Sequence, residues 1–321
     1  MDIPDKMEIK DFKPITVESK KEISEFLNSS KSISCELCFG NLFAWSKVEN
    51  TEYYVNHDEN ALCLRNNVHN NDINYYFPIF KEFKSTENKI GCVKNFIDFH
   101  KKYYDTRFKF TNLLTEQAEF LRNNFNNFVI TQNKDHSEYI YEAESLRTFS
   151  GKKLHGKKNH LNKFYSLYRD SFKYENIDDS NIEECLKLSW KWRKLNRYYL
   201  NDSMLEELHI VGEFIKNYDK LNLIGGCIKI GGEIKAFTIG EAAYDKSDTV
   251  IIHVEKADYE EVEGIYPAIC SMFLSAHPEF NFVNREDDLG DEGLRQSKLS
   301  YRPLYLLDRY EAFEKEETIE I

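Results

Sequence analysis

The sequence predicts an α+β fold of two tandem lobes, each with a mostly antiparallel, twisted sheet flanked by helices. Short apolar runs with strand character alternate with longer segments that carry apolar residues at helical spacing, and one order of elements occurs twice along the 321 residues. Hydrophobic residues make up 41% of the chain and aromatic residues 14%, which is enough to fill two cores. We expect an N-terminal lobe of structural role over residues 1–145 and a C-terminal lobe with the functional site over residues 146–321.

The first half of the chain shows this order loosely. Residues 34–45 carry apolar side chains at helical spacing, and further helices are predicted over 92–104 and from Thr115, at a capping position, to about 125. Turns rich in Asn, Asp and His separate the predicted strands, which lie at 53–55, 61–64, 75–78, 107–113, 128–131 and 139–141.

The second half shows the order clearly. Helices are predicted over 181–194 and 203–218, followed by strands over 221–230 and 233–241 that meet at Gly231 and Gly232, a strong hairpin signal. A third strand over 249–256, a helix over 264–277, a strand over 280–285, a helix over 291–298 and a strand over 304–309 complete it. Two helices, an antiparallel meander, a helix, a strand, a helix and a strand are typical of the GNAT acyltransferase fold. The looser copy in the first half predicts a tandem arrangement.

Charge and cysteine usage exclude several classes of protein. The formal net charge of -12 disfavours broad adhesion to nucleic acid or anionic lipid, so we expect no DNA partner. No run approaches the roughly 20 apolar residues of a membrane span. The seven Cys are scattered except for one Cys-x-x-Cys pair, Cys35 and Cys38, and no second ligand pair follows it, so buried thiols are favoured over zinc ligands. We expect a cytoplasmic protein without a membrane span.

A basic segment over residues 151–164 reverses the charge of this acidic chain. Eight Lys and Arg residues lie between residues 147 and 173 against one acid, and a helix would place residues 153, 157 and 160 on one face. Lys and His side chains on such a face are suited to phosphates, so the predicted donor-binding residues are Lys153, Lys157, Lys158, His160 and Asn162. The alternative is a solvated basic helix between the lobes; the interspersed Asn and His residues favour a site.

His253 and Glu255 end the third strand of the second half. Strict alternation would place both side chains on one face of the strand, where a carboxylate and an imidazole suit acid–base catalysis. A structural ion pair with the basic segment is an equally good interpretation.

Acidic and basic residues are concentrated near the C-terminus. Four acids lie between residues 286 and 291, but the ligand spacing of an EF-hand is missing, so we expect no metal site and no cofactor. Arg295 and Lys298 are three residues apart on a predicted helix, where they are suited to hold an anion or a developing oxyanion. The predicted catalytic residues are therefore His253, Glu255, Arg295 and Lys298.

The junction between the third strand and the next helix disfavours acyl-CoA as the donor. A GNAT enzyme that uses acetyl-CoA carries an Arg/Gln-x-x-Gly-x-Gly/Ala loop here, whose backbone amides cradle the pyrophosphate. Residues 255–266 contain one Gly and five acids instead, which would repel pyrophosphate.

Together these motifs resemble a bacterial family, the domain of unknown function numbered 2156, which is related to the C-terminal domain of phosphatidylglycerol lysyltransferases. The resemblance covers nearly the whole chain. It implies a tandem GNAT fold shared with Fem-type aminoacyltransferases, which pass an aminoacyl group from charged tRNA to an amine or hydroxyl of a lipid or cell-wall precursor. The motifs that carry it lie at 38–45, 151–164, 225–226, 236–241, 253–257 and 284–303.

Two segments are similar to functional parts of that superfamily. Residues 157–162 are similar to its basic helix, and residues 293–303 to its Phe-Lys-x-x-Phe-x-Pro segment. The resemblance implies that Arg295 and Lys298 stabilise the ester carbonyl as it becomes tetrahedral.

The sequence therefore predicts an aminoacyl- or acyltransferase in which His253 or Glu255 removes a proton from the attacking amine. The expected partners are aminoacyl-tRNA or another phosphate-bearing donor and a soluble small-molecule or peptide acceptor. Two alternatives stay open: a non-catalytic GNAT-fold protein that binds a ligand or RNA, and an acyl-CoA-dependent N-acyltransferase.

Overall fold

The computed structural model describes residues 7–68, 72–82, 84–195 and 202–315. In this part of the chain, the strands are β1 (Lys13–Pro14), β2 (Glu52–Asn56), β3 (Ala61–Val68), β4 (Asp72–Tyr75), β5 (Ile79–Phe80), β6 (Lys109–Leu113), β7 (Phe128–Gln132), β8 (Glu138–Glu142), β9 (Phe172–Asn176), β10 (Ile224–Ile230), β11 (Glu233–Ala242), β12 (Thr249–Ala257), β13 (Phe282–Asn284), β14 (Tyr305–Leu307) and β15 (Tyr310–Glu314). The α-helices are α1 (Lys20–Ser30), α2 (Phe39–Glu49), α3 (Thr86–Tyr103), α4 (Thr115–Asn124), α5 (Ala143–Thr148), α6 (His155–Tyr168), α7 (Ile182–Leu195), α8 (Asp202–Lys216), α9 (Tyr218–Leu221), α10 (Ile265–Ala276) and α11 (Glu292–Ser300).

The chain divides into two units. The first consists of Met1–Ser32, Trp45–Ser137 and Leu307–Ile321, and the second of Ile33–Ala44 and Glu138–Leu306. Each unit holds one sheet flanked by helices, so the predicted α+β class is confirmed. Among the described residues, no helix combines the length and the apolar composition that crossing a bilayer requires.

The first unit packs helix α3 and an aromatic core on its sheet. The strand order is β1-β2-β3-β4-β6-β15-β7, with β5 paired to β3, and β4 and β6 are parallel neighbours. Apolar residues of α3 recur at helical spacing, so one face of the helix is buried. Phe108 lies at the centre of this core, stacked on Tyr75 at 5.0 Å and edge-on to Phe110 at 4.8 Å between ring centroids.

The second unit has the strand order β14-β8-β13-β12-β11-β10-β9. Strands β9 to β12 form an antiparallel meander, and β12 and β13 are parallel. The hairpin between β10 and β11 turns at Gly231 and Gly232, both at positive φ, as the sequence predicts. Helix α10 packs into the core of this unit with Ile265, Ile269 and Phe273, at helical spacing.

Strands β12 and β13 pair over three residues only. The last pair is Ile251 with Asn284, and beyond it residues 252–257 of β12 do not pair with residues 285–286, which follow β13. The carboxyl ends of parallel strands are where α/β sheets commonly bind ligands. This opening therefore positions the candidate site.

The two units differ from the predicted lobes 1–145 and 146–321 in three segments. Strand β8 pairs with β13 in the second sheet, and β15 pairs with β6 and β7 in the first. Residues 33–44 belong to the second unit because Ser34 and Cys35 donate hydrogen bonds to the buried Glu138 carboxylate, at 3.0 and 2.9 Å. These pairings are long-range, so periodicity along the chain does not reveal them. Strands β1, β5, β9 and β15 and helices α1, α5 and α9 were not predicted.

Candidate functional site

The basic segment forms helix α6, which begins at His155. Leu161 and Phe164 are buried in the core of the second unit, so this face of the helix packs inward. Lys153 precedes the helix, in the 3-10 turn Lys152–Leu154. The expectation of a helix is met for residues 155–164, but Lys153 does not lie on it.

The predicted donor-binding residues of this segment separate by exposure. Lys153, His160 and Asn162 are exposed. Lys158 donates a hydrogen bond from Nζ to the backbone oxygen of Thr148 at 2.9 Å, which ties α6 to the end of α5. Their role in binding a donor stays a prediction.

Lys157 differs from its neighbours because its ammonium group lies over a buried aromatic ring. Its Nζ is 3.8 Å from the centre of the Tyr301 ring, and the guanidinium carbon of Arg285 is 4.6 Å from the same centre. Burial, and to a smaller extent repulsion by Arg285, lowers the pKa of Lys157 to about 8. Two cations thus share one aromatic ring.

Glu255 and Arg285 bridge the opening between β12 and β13. Arg285 Nη2 donates to Glu255 Oε1 at 2.7 Å, and both side chains are largely buried. Burial raises the pKa of Glu255 even though Arg285, Lys157 and Lys298 favour its carboxylate. The second terminal nitrogen of Arg285, Nη1, is buried and has no hydrogen-bond partner among the described residues.

Arg295 and Lys298 both hold the loop that follows β13. Arg295 forms a bidentate ion pair with the buried Asp288, at 2.9 Å from Nε and 2.7 Å from Nη2. Lys298 Nζ donates to the backbone oxygens of Arg285, at 2.6 Å, and Asp287. Burial lowers the pKa of Lys298 to about 8. The structure therefore brings Lys298 next to Arg285 and engages Arg295 with Asp288; the oxyanion role of either stays a prediction.

A β-bulge separates His253 from Glu255. The register of β11 and β12 shifts so that Ile239 pairs with Val254 and Gly240 pairs with Ile252, which leaves His253 as the extra residue. Its ring stacks on Phe214 of α8 at 4.9 Å, whereas Glu255 contacts Arg285 on the other side of the sheet. The expectation that strict alternation places both side chains on one face is therefore wrong.

His253 lies between two carboxylates. Its Nδ1 is 2.8 Å from Glu286 and its Nε2 is 3.1 Å from Glu241, and the imidazole is almost fully buried. Burial by itself would lower the pKa of His253, but the hydrogen bonds to Glu241 and Glu286 outweigh it and raise the pKa to about 9.

Arg285 and Tyr301 were not among the predicted site residues. Both lie inside the block 284–303 that carries the family resemblance, and Arg285 directly follows a central strand, which is the available sequence signal. Together with Glu255 and Lys157 they form what we call the Arg285 cluster. With one carboxylate against two cationic side chains, the cluster is suited to an anionic or polarised carbonyl ligand.

Comparison with known proteins gives the chain a family. A model of the C-terminal region of phosphatidylglycerol lysyltransferases matches residues 28–313. An uncharacterized protein of Mycoplasmoides gallisepticum is 26% identical over 180 residues, covering 54% of this chain and 55% of that protein. The chain thus spans about half the length of the curated relative it matches.

Solved structures share the fold. A conserved protein of unknown function from Bacteroides thetaiotaomicron has a TM-score of 0.86 at 30% identity, covering 95% of this chain and 99% of the other. L-PGS from Bacillus licheniformis has a TM-score of 0.64 at 16% identity, covering 98% and 96%. A tandem GNAT protein from the clavulanic acid biosynthesis pathway has a TM-score of 0.50 at 8% identity, covering 94% and 97%.

The tandem GNAT fold and the family resemblance predicted from the sequence are both confirmed. Fold and family relate the chain to aminoacyltransferases and to GNAT acetyltransferases. Since the family model matches from residue 28 to residue 313, the chain belongs to the family of phosphatidylglycerol lysyltransferase C-terminal domains.

Proposed function

We propose that the second unit transfers an aminoacyl group from a phosphate-bearing ester donor, such as aminoacyl-tRNA, to the amine or hydroxyl of a soluble acceptor. The observation that supports this most is the Arg285 cluster at the opening between β12 and β13, where a buried carboxylate and an unpartnered guanidinium nitrogen lie together. Aminoacyl transfer needs both a base and an oxyanion donor.

Glu255 is the proposed general base. Its raised pKa brings the titration of the carboxylate closer to neutral pH, where a base accepts a proton from an attacking amine or hydroxyl most effectively. The nucleophile then bonds to the ester carbonyl carbon, and the bond to the leaving ribose oxygen breaks. The proton held by Glu255 passes to that leaving oxygen, so that the carboxylate is restored.

Arg285 is the proposed oxyanion donor. Its Nη2 is engaged with Glu255, and its buried Nη1 has no acceptor among the described residues, so a carbonyl oxygen that gains negative charge would supply one. Lys298 fixes the Arg285 backbone through the carbonyl oxygen of that residue. We therefore move the oxyanion role from Arg295 to Arg285 and give Lys298 a positioning role.

The phosphates of the donor would lie along α6. Lys153 and His160 are exposed and Lys157 faces the cluster, so positive charge extends from the solvent to the base. In the acyl-CoA alternative, the pyrophosphate would sit at the N-terminus of α10. That end is closed: a Cβ placed on Gly264, the residue before α10, would lie 2.1 Å from the backbone oxygen of His160. This close approach favours the ester donor over acyl-CoA.

The test is transfer of a radiolabelled aminoacyl group from a mixture of all charged tRNAs, with deacylation of the tRNA followed in parallel. We expect deacylation above the uncatalysed rate, and loss of about 10²- to 10³-fold of it in Arg285→Met. Glu255→Gln should lose about 10²- to 10⁴-fold. No acceleration by the wild type with any charged tRNA would contradict the proposal.

Two matched variants control for general effects of these substitutions. Arg169→Met and Glu260→Gln change exposed side chains of the same unit in the same way. We expect both to keep full activity. Circular dichroism of every variant separates loss of activity from loss of fold, and folded Arg285→Met with wild-type activity would exclude the oxyanion role.

A further inference from the structure

Four motifs of the sequence converge at a second cluster that the proposed transfer reaction does not use. Cys38 directly precedes α2, and Glu241 lies on β11. His253 is the bulged residue of β12, and Glu286 lies in the loop after β13. All four belong to the second unit. The Cys, Glu and His side chains offer Sγ, a carboxylate oxygen and an imidazole nitrogen that all lie within 4.8 Å of one another.

We propose that Cys38, Glu241 and His253 bind a zinc ion. Thiolate, carboxylate and imidazole are the three ligand types that zinc accepts in proteins, and the thiolate favours zinc over magnesium or calcium. Ligand atoms around a tetrahedral zinc lie about 3.3 to 3.8 Å apart, so an ion requires each to move by about 1 Å or less. This site is independent of the transfer reaction proposed above.

The imidazole is oriented as a zinc ligand requires. Glu286 contacts Nδ1 at 2.8 Å and leaves Nε2 directed at Glu241, 3.1 Å away. A carboxylate on the far nitrogen of a ligating imidazole fixes its orientation and increases its basicity. Phe214, stacked on the ring, holds the plane of the imidazole.

The surroundings favour a cation at this point. Glu241 and Glu286 lie on opposite sides of one imidazole, and both Cys38 and His253 are almost fully buried. A divalent ion beside a thiolate and a carboxylate balances the charge of those two ligands. Gly40 also leaves room for Glu241, because a Cβ at this position would lie 2.5 Å from its Oε1.

Three protein ligands leave a fourth position of a tetrahedral ion for water or a small ligand, as in catalytic rather than structural zinc sites. No second Cys or His pair follows Cys38 in the chain, so the spacing of residues favours a buried thiol at this position. The two other ligands come from neighbouring strands, which only the fold brings to Cys38.

The experiment is metal analysis of the full chain, purified without chelators from zinc-supplemented cultures. We expect about one zinc per chain. Replacement by Co²⁺ should give a thiolate-to-cobalt charge-transfer band together with the intense visible bands of a tetrahedral ion. Less than about a tenth of an equivalent of zinc, also after incubation with excess zinc, would overturn the proposal.

Variants assign the ligands. Cys38→Ser should abolish the charge-transfer band, and Glu286→Gln should weaken zinc binding by about 10- to 100-fold because it removes the support of the imidazole. The matched control is Cys185→Ser, a buried thiol of α7, which should bind zinc as the wild type does. An unchanged band in Cys38→Ser would refute this ligand set.

A second measurement decides the question if Cys38→Ser does not fold. X-ray absorption of the wild-type zinc protein should show one sulfur at about 2.3 Å and nitrogen or oxygen ligands at about 2.0 to 2.2 Å. A shell without sulfur would overturn the site. None of these readouts depends on transferase activity, so their outcome is separate from that of the proposed function.

Discussion

Removal of Arg285 tests both the stability and the chemistry assigned to the Arg285 cluster. Arg285→Met keeps the length of the side chain but leaves the Glu255 carboxylate without the guanidinium 2.7 Å away. Both side chains are largely buried, 14% and 10% exposed, so solvent does not replace the lost partner. Removing one partner of a buried ion pair typically lowers the free energy of unfolding by about 3 to 5 kcal/mol.

One effect offsets part of this loss. Lys157 is repelled by Arg285, and relief of that repulsion returns about 1.4 kcal/mol for each unit by which its pKa recovers. Burial is the larger cause of the lowered pKa, so the recovery is partial. We therefore expect Arg285→Met to lower the free energy of unfolding by about 2 to 4 kcal/mol.

The assay is urea unfolding at pH 7, followed by circular dichroism and tryptophan fluorescence. The midpoint should fall by about 1 to 2 M. A double-mutant cycle with Glu255→Gln isolates the pair, and we expect the double variant to be about as stable as Arg285→Met alone. Arg169→Met, at an exposed position, should unfold as the wild type does. A coupling energy near zero would refute the idea that the two side chains form one buried unit.

Three further predictions concern single positions of the second unit. In ¹³C-methylated protein, Lys157 should titrate near pH 8 in the wild type and at a higher pH in Arg285→Met. Because the pKa of Lys157 in the folded protein lies below its unfolded value of about 10.4, the free energy of unfolding should rise with pH between about 8 and 10.4. A titration of Lys157 near pH 10.4 in the wild type would contradict this prediction. Gly264→Ala should lower the free energy of unfolding by at least about 2 kcal/mol, because φ is +76° at this position and the new Cβ would meet a backbone oxygen of α6. Gly156→Ala, where a Cβ meets open space, should leave thermal unfolding unchanged or slightly stabilise the protein. Asn284→Leu should cost about 1 to 3 kcal/mol in urea, since it leaves buried acceptors unmatched, and wild-type stability would show that its hydrogen bonds do not matter.

Periodicity and turn residues were sufficient for most elements of the second unit. The pattern over 181–194 gives α7, and the Gly231–Gly232 turn gives the β10–β11 hairpin. These features are local, because helical spacing and positive φ are properties of neighbouring residues. The short strand β9 has no buried side chain and lacks such a signal, so it was missed.

The candidate site was predicted only in part, because its contacts depend on tertiary structure and not on local spacing. Glu255 and Lys157 were recognised from charge and position, but their partner Arg285 was not, because its proximity depends on the divergence of β12 from β13. His253 and Glu255 were predicted to lie on one face of their strand, and the β-bulge at His253 places them on opposite faces, since one extra residue shifts the alternation of side chains. Neither the divergence of β12 from β13 nor the β-bulge can be predicted from the spacing of residues along the chain.

The sequence by itself determined the α+β class, the order of most helices and strands in the second unit, the basic helix and the family. Each follows from local spacing, turn chemistry or a combination of motifs. Only the tertiary structure decided which charges meet: Arg285 with Glu255, Arg295 with Asp288, and His253 with two carboxylates. The physical reason is that buried charges are satisfied by partners across strands and loops, and those distances are set by how the sheet diverges and bulges.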